Sequence, residues 1–225
     1  MTSLELALVC VAFLLVLLTG RSILPGLLVV LRPSQLRCWF LDADHEVKVL
    51  GGSPLLEECL QRLKAQHFFL LGVKVEKLPL WGQVEREVAL AARDQMAFAS
   101  IVLHPFGAPA SVYLYTPLAG GGMVFTRDYA GGPQAESTRL SVHNVPTEDL
   151  EKLVGDHRAR VDALQERGAA LDLRASQAGR LDATRAFYAS KYFRHAAMPR
   201  IIPGLVSLVV SLVLLFWTIL APFLK

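Results

Sequence analysis

Hydrophobic and polar positions fall into three regimes along this chain. Residues 6–20 form an uncharged apolar run, residues 201–224 form another, and between them apolar and polar positions alternate in short blocks. The second run corresponds to about 36 Å of helix, enough to cross a ~30 Å hydrocarbon layer with some tilt. Pro203 and Gly204 fall in its first turn and Pro222 in its last. Phe216 and Trp217 lie toward its far end, where aromatic side chains settle near the interface. The first run alone is too short to cross, and its extension to residue 31 takes in Arg21 and Pro25-Gly26. The pattern predicts a helix over about 4–24, with Arg21 within one turn of the interface. Pro25-Gly26 is expected to bend or end the helix, sending 27–31 along the membrane surface or against the soluble domain. Arg21-Ser-Ile-Leu-Pro-Gly-Leu resembles Arg200-Ile-Ile-Pro-Gly-Leu. Two apolar stretches can match by chance; alternatively, both Pro-Gly breaks lie at one depth and pack on each other.

The middle of the chain reads as one domain. Residues 38–41 and 46–50 are short strand candidates around a polar 42–45. Gly51-Gly52-Ser53-Pro54 starts a helix at 54–66, with Leu55, Leu56, Cys59, Leu60 and Leu63 at helical spacing. Strands are predicted at 68–75, 84–92, 96–103, 111–116, 123–129 and 138–142, with glycine- and proline-rich turns between them. Such close spacing predicts an antiparallel meander. Pro146-Thr147-Glu148-Asp149 then starts a helix to about 167, with Thr147 as cap and Leu150, Leu153, Val154, His157, Val161 and Leu164 on one face. A second helical stretch, about 176–195, carries Arg180, Arg185, Lys191 and Arg194 with Phe187, Tyr188, Tyr192 and Phe193. It reads either as a stalk touching anionic headgroups or as a helix with a core-facing aromatic stripe.

The expected fold class is α+β: an antiparallel sheet with helices on one face, flanked by an N-terminal and a C-terminal transmembrane helix. The expected divisions are an anchor with a kinked interfacial tail at 1–31, a soluble domain at 32–168, a basic juxtamembrane helix at 169–200 and a second transmembrane helix at 201–225.

Composition sharpens this picture. Hydrophobic residues make up 53% of the chain and charged residues 19%, below the roughly 25% of a typical soluble domain. The mean hydropathy is +0.40, with the excess at the two ends. The net charge of +3, with no basic run interleaved with aromatics, argues against a nucleic-acid partner. The opening MTSLE carries an acid and no base, so the first run reads as a retained anchor rather than a cleaved signal. Basic residues flank the inner ends of both runs: Arg21, Arg32 and Arg37 after the first, Lys191, Arg194 and Arg200 before the second. The positive-inside bias then puts the middle of the chain in the cytoplasm and both termini across the membrane. Of these residues, Arg21, Arg32, Lys191, Arg194 and Arg200 are the expected membrane-interface set. Cys10, Cys38 and Cys59 make no disulfide framework and read as reduced, buried thiols.

Candidate chemistry is sparse. The stretch WFLDADHEV (39–47) is an apolar strand followed by Asp42-x-Asp44. It resembles the first motif of haloacid-dehalogenase-like phosphatases, which implies Asp42 as nucleophile, Asp44 as general acid and bound Mg²⁺. That family also needs a downstream lysine and a late acidic pair on the strand ends of a parallel sheet; the chain offers a meander and no late Asp-Asp. Asp42, Asp44 and His45 form the one candidate metal set. No HxH, HExxH, P-loop or GxSxG pattern occurs, and 118–123 and 129–133 are glycine-rich hairpin turns. No cofactor is expected.

Three functions follow. The leading reading is a non-enzymatic accessory or scaffold subunit of a membrane protein complex, with the lipid bilayer and other membrane subunits as partners. The second is a membrane-tethered sensor, with a small-ligand pocket between the sheet and the helix at 147–167, lined by Tyr113, Tyr115, Phe125 and His157. The third is a metal-dependent hydrolase using Asp42 and Asp44.

Overall fold

A computed structural model describes residues 3–129, 131, 134–137 and 139–220; for residues 3–5, 8, 200, 218 and 220 only the backbone is described. In chain order the elements are α1 (Ser3–Leu31), β1 (Arg37–Phe40), α2 (Ala43–Leu50), α3 (Pro54–Ala65), β2 (Phe68–Lys77), β3 (Val84–Ala92), β4 (Phe98–Leu103), β5 (Pro109–Leu118), β6 (Gly122–Arg127), β7 (Ala135–Ser137), β8 (Leu140–Asn144), α4 (Leu150–Glu166), α5 (Gln177–Ala189) and α6 (Lys191–Leu220). They form two compact units. One comprises Met1–Leu36, Leu78–Gln83 and Lys191–Lys225; the other comprises Arg37–Lys77 and Val84–Ser190.

The second unit is α+β. Its single sheet runs β1-β2-β3-β4-β5-β6-β8-β7. The first six strands are the antiparallel meander that the turn spacing predicts. The sheet then departs from a pure meander: β8 pairs parallel with β6, and the short β7 folds back on β8. One face is apolar, with Val73, Val88, Leu90, Ile101, Val112 and Leu114 buried beneath Leu56, Leu60 and Leu63 of α3 and Leu150, Leu153 and Val154 of α4. Each fully buried leucine here stabilises the fold by roughly 1.5–3 kcal/mol relative to exposure.

Helices do not lie on one face only, as expected from sequence. Arg180 of α5 bonds Glu87, Ser100 and Tyr113, whose side chains leave their strands opposite Val88, Ile101 and Val112. The sheet is therefore covered on both sides. The stretch assigned to a juxtamembrane helix at 169–200 divides at Ser190, whose N–H returns to the Phe187 carbonyl. Residues before that break belong to the sheet unit. Residues 46–50, expected as a strand, lie in α2, because Asp42 caps that helix through the His45 N–H. The cap of α4 is Asp149 rather than Thr147; its carboxylate accepts from the N–H groups of Glu151 and Lys152. Of the predicted strand at 138–142, Thr138 lies outside the described residues, as do Ala130, Gly132 and Pro133 of the second glycine-rich turn.

In the first unit, α1 continues through Pro25 to Leu31 instead of ending at the Pro-Gly break. Its Val9–Leu31 segment is long and apolar enough to cross a membrane, and most of its residues are not buried. Helix α6 bends by 51° between Lys191–Pro199 and Ile201–Trp217, where Pro199 and Pro203 interrupt its hydrogen-bond ladder. The two Pro-Gly breaks do pack near each other's helix: Gly26 lies against Ile201, and Ile23 sits over Gly204. Phe193 and Ala197 of the basic segment pack on a cluster of Ile23, Val30 and Ile201. Pro222 and Lys225 lie outside the described residues.

Candidate functional site: a buried ion network and cavity beneath α5

A slip of one residue in β2 creates the site. Phe68 and Leu70 pair with Ala92 and Leu90 on the apolar face, but a bulge between Leu70 and Gly72 shifts the register. Beyond it Val73 pairs with Val88, and Lys74 pairs with Glu87. Because side chains alternate with period two, one inserted residue sends every later side chain to the other face. Lys74 and Glu76 are thereby withdrawn from the apolar core and set beside Glu87 and Glu85. Gly72 permits this: its φ is +134°, and a Cβ there would stand 2.9 Å from Glu46 and 3.2 Å from Gln177. Gln177 at the start of α5 donates its amide N–H to the Leu71 carbonyl at 2.6 Å, so the bulge also fixes where α5 begins.

Lys74, Glu87 and Arg180 are all buried and meet under the middle of α5. Lys74 Nζ lies 2.6 Å from Glu87 Oε1, also binds Glu76, and donates to Thr184 Oγ1 at 2.8 Å. Arg180 donates through Nη2 to Glu87 Oε1 at 2.8 Å, Ser100 Oγ at 3.0 Å and Tyr113 OH at 2.6 Å, and through Nη1 to Thr184 Oγ1 at 2.8 Å. Tyr113 donates its own proton to Glu87 Oε2, and Tyr188 donates to Glu76 Oε2 at 2.6 Å. Two cations thus balance two inner carboxylates. Burial alone raises the Glu87 carboxyl, but Lys74 and Arg180 outweigh it and hold the group down at about 2. Burial pushes the Tyr113 and Tyr188 hydroxyls well up, and that of Tyr115 to about 12, so all three stay protonated donors.

Beside this network lies a cavity of about 160 Å³. Tyr113, Tyr115 and Phe125 from the sheet and Phe187 and Tyr188 from α5 wall it, with Glu76, Glu85, Glu87 and Arg180 among its polar lining. The rings are mutually packed: Tyr113 and Phe125 are 5.0 Å apart, and Phe125 stacks on Phe187 at 5.7 Å. Glu85 stands at the rim. The protein around it, and then the Glu76 and Glu87 charges, push its carboxyl up. Among the described residues it has no hydrogen bond or ion pair. Arg86, at the cavity edge, leaves β3 on the opposite side.

The structure brings together Tyr113, Tyr115 and Phe125, but not His157. That histidine projects from α4 onto the other face of the sheet, where it is buried between Thr116 and Thr126, each 2.9 Å from a ring nitrogen. Thr116 spends its proton on the Met96 carbonyl, so it accepts from His157 Nε2–H; His157 Nδ1 in turn accepts from Thr126. Burial, reinforced by Arg160 and Arg158, pushes the imidazole down to about 3 and keeps it neutral. The cleft lies beneath α5 rather than beside the helix at 147–167.

Asp42, Asp44 and His45 do not form a metal centre. Asp42 Oδ1 accepts from the His45 N–H at 3.0 Å and faces His45 Nδ1 at 2.7 Å, which makes it a helix cap. Those hydrogen bonds hold its carboxyl below the usual range. It follows an edge strand of an antiparallel sheet, so the phosphatase resemblance ends at the motif. Among the described residues no group of three or more His, Cys, Asp or Glu is placed to hold a metal ion. The three cysteines are free, and burial raises the Cys38 and Cys59 thiols to about 11.

Of the expected interface residues, Arg21 and Arg32 are exposed on and just after α1, and Lys191 and Arg194 are exposed at the start of α6; the Arg200 side chain lies outside the described residues. Sequence reasoning missed Lys74, Glu76, Glu85 and Glu87, and named Arg180 only as part of a basic, aromatic helical stretch. The available signals were Lys74-x-Glu76 and Glu85-x-Glu87 in otherwise apolar strands, and Arg180, Thr184, Phe187 and Tyr188 at the i, i+4, i+7 and i+8 spacing of one helix face.

No family model, curated protein or solved structure matches this chain. The site itself defines an α+β domain with a neutral buried ion network and an aromatic cavity under its last helix.

Proposed function

We propose that this chain is a membrane-tethered binding module whose cavity beneath α5 takes a small organic cation. One observation carries the reading: Glu85 stands unpaired at the rim of an aromatic-walled cavity whose inner carboxylates are already neutralised by Lys74 and Arg180. Aromatic faces attract cations by about 0.5–2 kcal/mol each, more when desolvated, and a free carboxylate adds a charge-assisted hydrogen bond. The cavity has about the volume that holds a benzene-sized group. Calorimetric titration of the full-length protein in detergent with benzylamine tests this. Saturable one-to-one binding, weakened about tenfold by Glu85→Gln, supports it; no saturable heat overturns it.

The tether in this proposal is α1 together with the Ile201–Trp217 part of α6, both crossing the bilayer, with the sheet unit in the cytoplasm and both termini on the opposite side. Exposed apolar side chains on α6, among them Val206, Val209, Val210, Val213 and Phe216, favour lipid over water around it. The basic residues near the inner ends of both helices favour this orientation.

The accessory-subunit reading also draws on one observation. Phe106, at the β4–β5 turn, is 95% exposed, and an aromatic ring fully in water is a natural contact for a protein partner. Phe106→Ser would release such a partner without affecting benzylamine binding.

A further inference from the structure

Proline at position 25 of α1 has no N–H, so the carbonyl of Arg21, four residues earlier, loses its helical donor. The indole Nε1–H of Trp81 supplies the replacement, at 3.0 Å. Trp81 belongs to the turn Leu78–Gln83, which is closed by the Leu78 N–H to the Gln83 carbonyl at 3.2 Å and by the Gly82 N–H to the Pro79 carbonyl at 3.1 Å. Gly82 lets the turn sit directly on the proline: a Cβ there would stand 3.0 Å from Pro25 Cβ. The turn is thus locked against α1 at its proline. It leaves Leu80, at φ +59°, 54% exposed and Trp81 51% exposed. Holding a leucine in the left-handed region costs about 1–3 kcal/mol, a strain that points to a use for this turn.

Between the turn and the helix lies a cavity of about 420 Å³, lined by Leu18, Arg21, Ser22, Leu78, Trp81 and Gln83 together with the proline and glycine already described. Leu18, Pro25, Leu78 and Trp81 make its walls apolar, and Arg21, Ser22 and Gln83 bring polar donors. It contains one cation and no carboxylate, and among the described residues Arg21 forms no ion pair. An apolar wall beside an uncompensated guanidinium matches the two ends of a phospholipid: phosphate on the cation, and the start of the acyl chains on Leu18, Leu78 and Trp81. A tryptophan whose N–H is engaged and whose ring is exposed is also the side chain that settles at the headgroup level.

We infer that this cavity binds the phosphate of an anionic membrane phospholipid, with Arg21 as its cation and the Leu78–Gln83 turn dipping into the headgroup layer. The inference rests on α1 crossing the bilayer, as proposed above, and its test separates the two.

Full-length protein carrying Trp39→Phe and Trp217→Phe, which leaves Trp81 as the sole tryptophan, is reconstituted in nanodiscs of phosphatidylglycerol and phosphatidylcholine. Lipid brominated near the carboxyl end of its acyl chains is expected to quench Trp81, and aqueous acrylamide is expected not to. In native mass spectrometry the preference for phosphatidylglycerol over phosphatidylcholine is expected to fall about fivefold in Arg21→Gln. Membrane fractions are washed with alkaline carbonate in parallel. Carbonate-resistant protein with Trp81 open to acrylamide and lipid preference unchanged in Arg21→Gln overturns the lipid site while leaving the anchor standing. Protein released by carbonate overturns both. Inorganic phosphate alone binding as well as the lipid, and displacing it, also overturns the site as a lipid site.

Discussion

Arg180 in α5 donates to the Glu87 carboxylate in β3 at 2.8 Å across 93 residues of sequence, with both side chains almost wholly buried. This pair ties the last helix of the sheet unit to the middle of the sheet. It turns a segment that looks like a basic stalk into the roof of a cavity.

Removing one partner of a buried pair leaves an uncompensated charge, which costs about 3–5 kcal/mol. Arg180→Met is expected to destabilise the protein by that order in denaturant unfolding. Arg185→Ala, which breaks an exposed pair with Asp182, is expected to cost less than about 1 kcal/mol. Equal effects of the two would show that α5 does not close over the sheet.

Gly72→Ala tests the bulge that sets the site. The new Cβ meets Glu46, Phe40 and Gln177 between 2.9 and 3.2 Å at a φ of +134°. A loss of at least about 1–3 kcal/mol is expected, with benzylamine affinity falling in parallel because Lys74, Glu76 and the start of α5 depend on this register. An unchanged melting temperature would contradict that account.

Acid should weaken the sheet unit in two stages. His157 is held neutral down to about 3, while an unfolded histidine protonates near 6.5, so stability falls as pH drops below about 6.5. Glu87 stays ionised down to about 2, so its contribution is present above an ordinary carboxyl value of about 4.5 and lost as pH falls from there toward 2. In unfolding curves between pH 7 and pH 4.5, His157→Gln is expected to flatten the dependence, and Glu87→Gln is expected to leave its slope intact.

Ile23 and Gly204 test how α1 and α6 meet. A Cβ on Gly204 would lie 2.2 Å from Ile23 Cδ1. Gly204→Leu is expected to reduce the thermal stability of the detergent-solubilised protein, and Ile23→Ala in the same chain is expected to restore part of it. Additive losses would mean that the two positions do not touch.

Much of the sheet was legible because its strands are short, β-branched and punctuated by glycine and proline. The helices at Pro54 and Leu150 were legible from their apolar spacing and from the Ser53-Pro54 and 146–149 start signals, although the α4 cap is Asp149 rather than Thr147. The site was not, for a specific reason. Alternation counted along FFLLGVKVEK without a bulge places Lys74 and Glu76 on the same side as Phe68 and Leu70, and only the Gly72 slip moves them away. Residues 46–50 misled by composition: Val47 and Val49 favour a strand, but Asp42 four residues before Glu46 caps a helix. Helix α1 runs on past Pro25, and the carbonyl that the proline leaves without a donor is bonded by Trp81, 60 residues away, a contact no local pattern reveals. His157 was placed correctly on the buried face of α4, yet a single sequence does not tell which face of the sheet that helix covers.

Charge discrimination in the α5 cavity tests the central claim most directly. Benzylamine, benzyl alcohol and benzoate share a ring and differ mainly in charge. Calorimetric titration of the full-length protein near neutral pH is expected to rank benzylamine tightest by at least about tenfold, with Glu85→Gln narrowing the gap to benzyl alcohol. Benzoate binding as tightly as benzylamine, or a ranking indifferent to Glu85, would contradict the account.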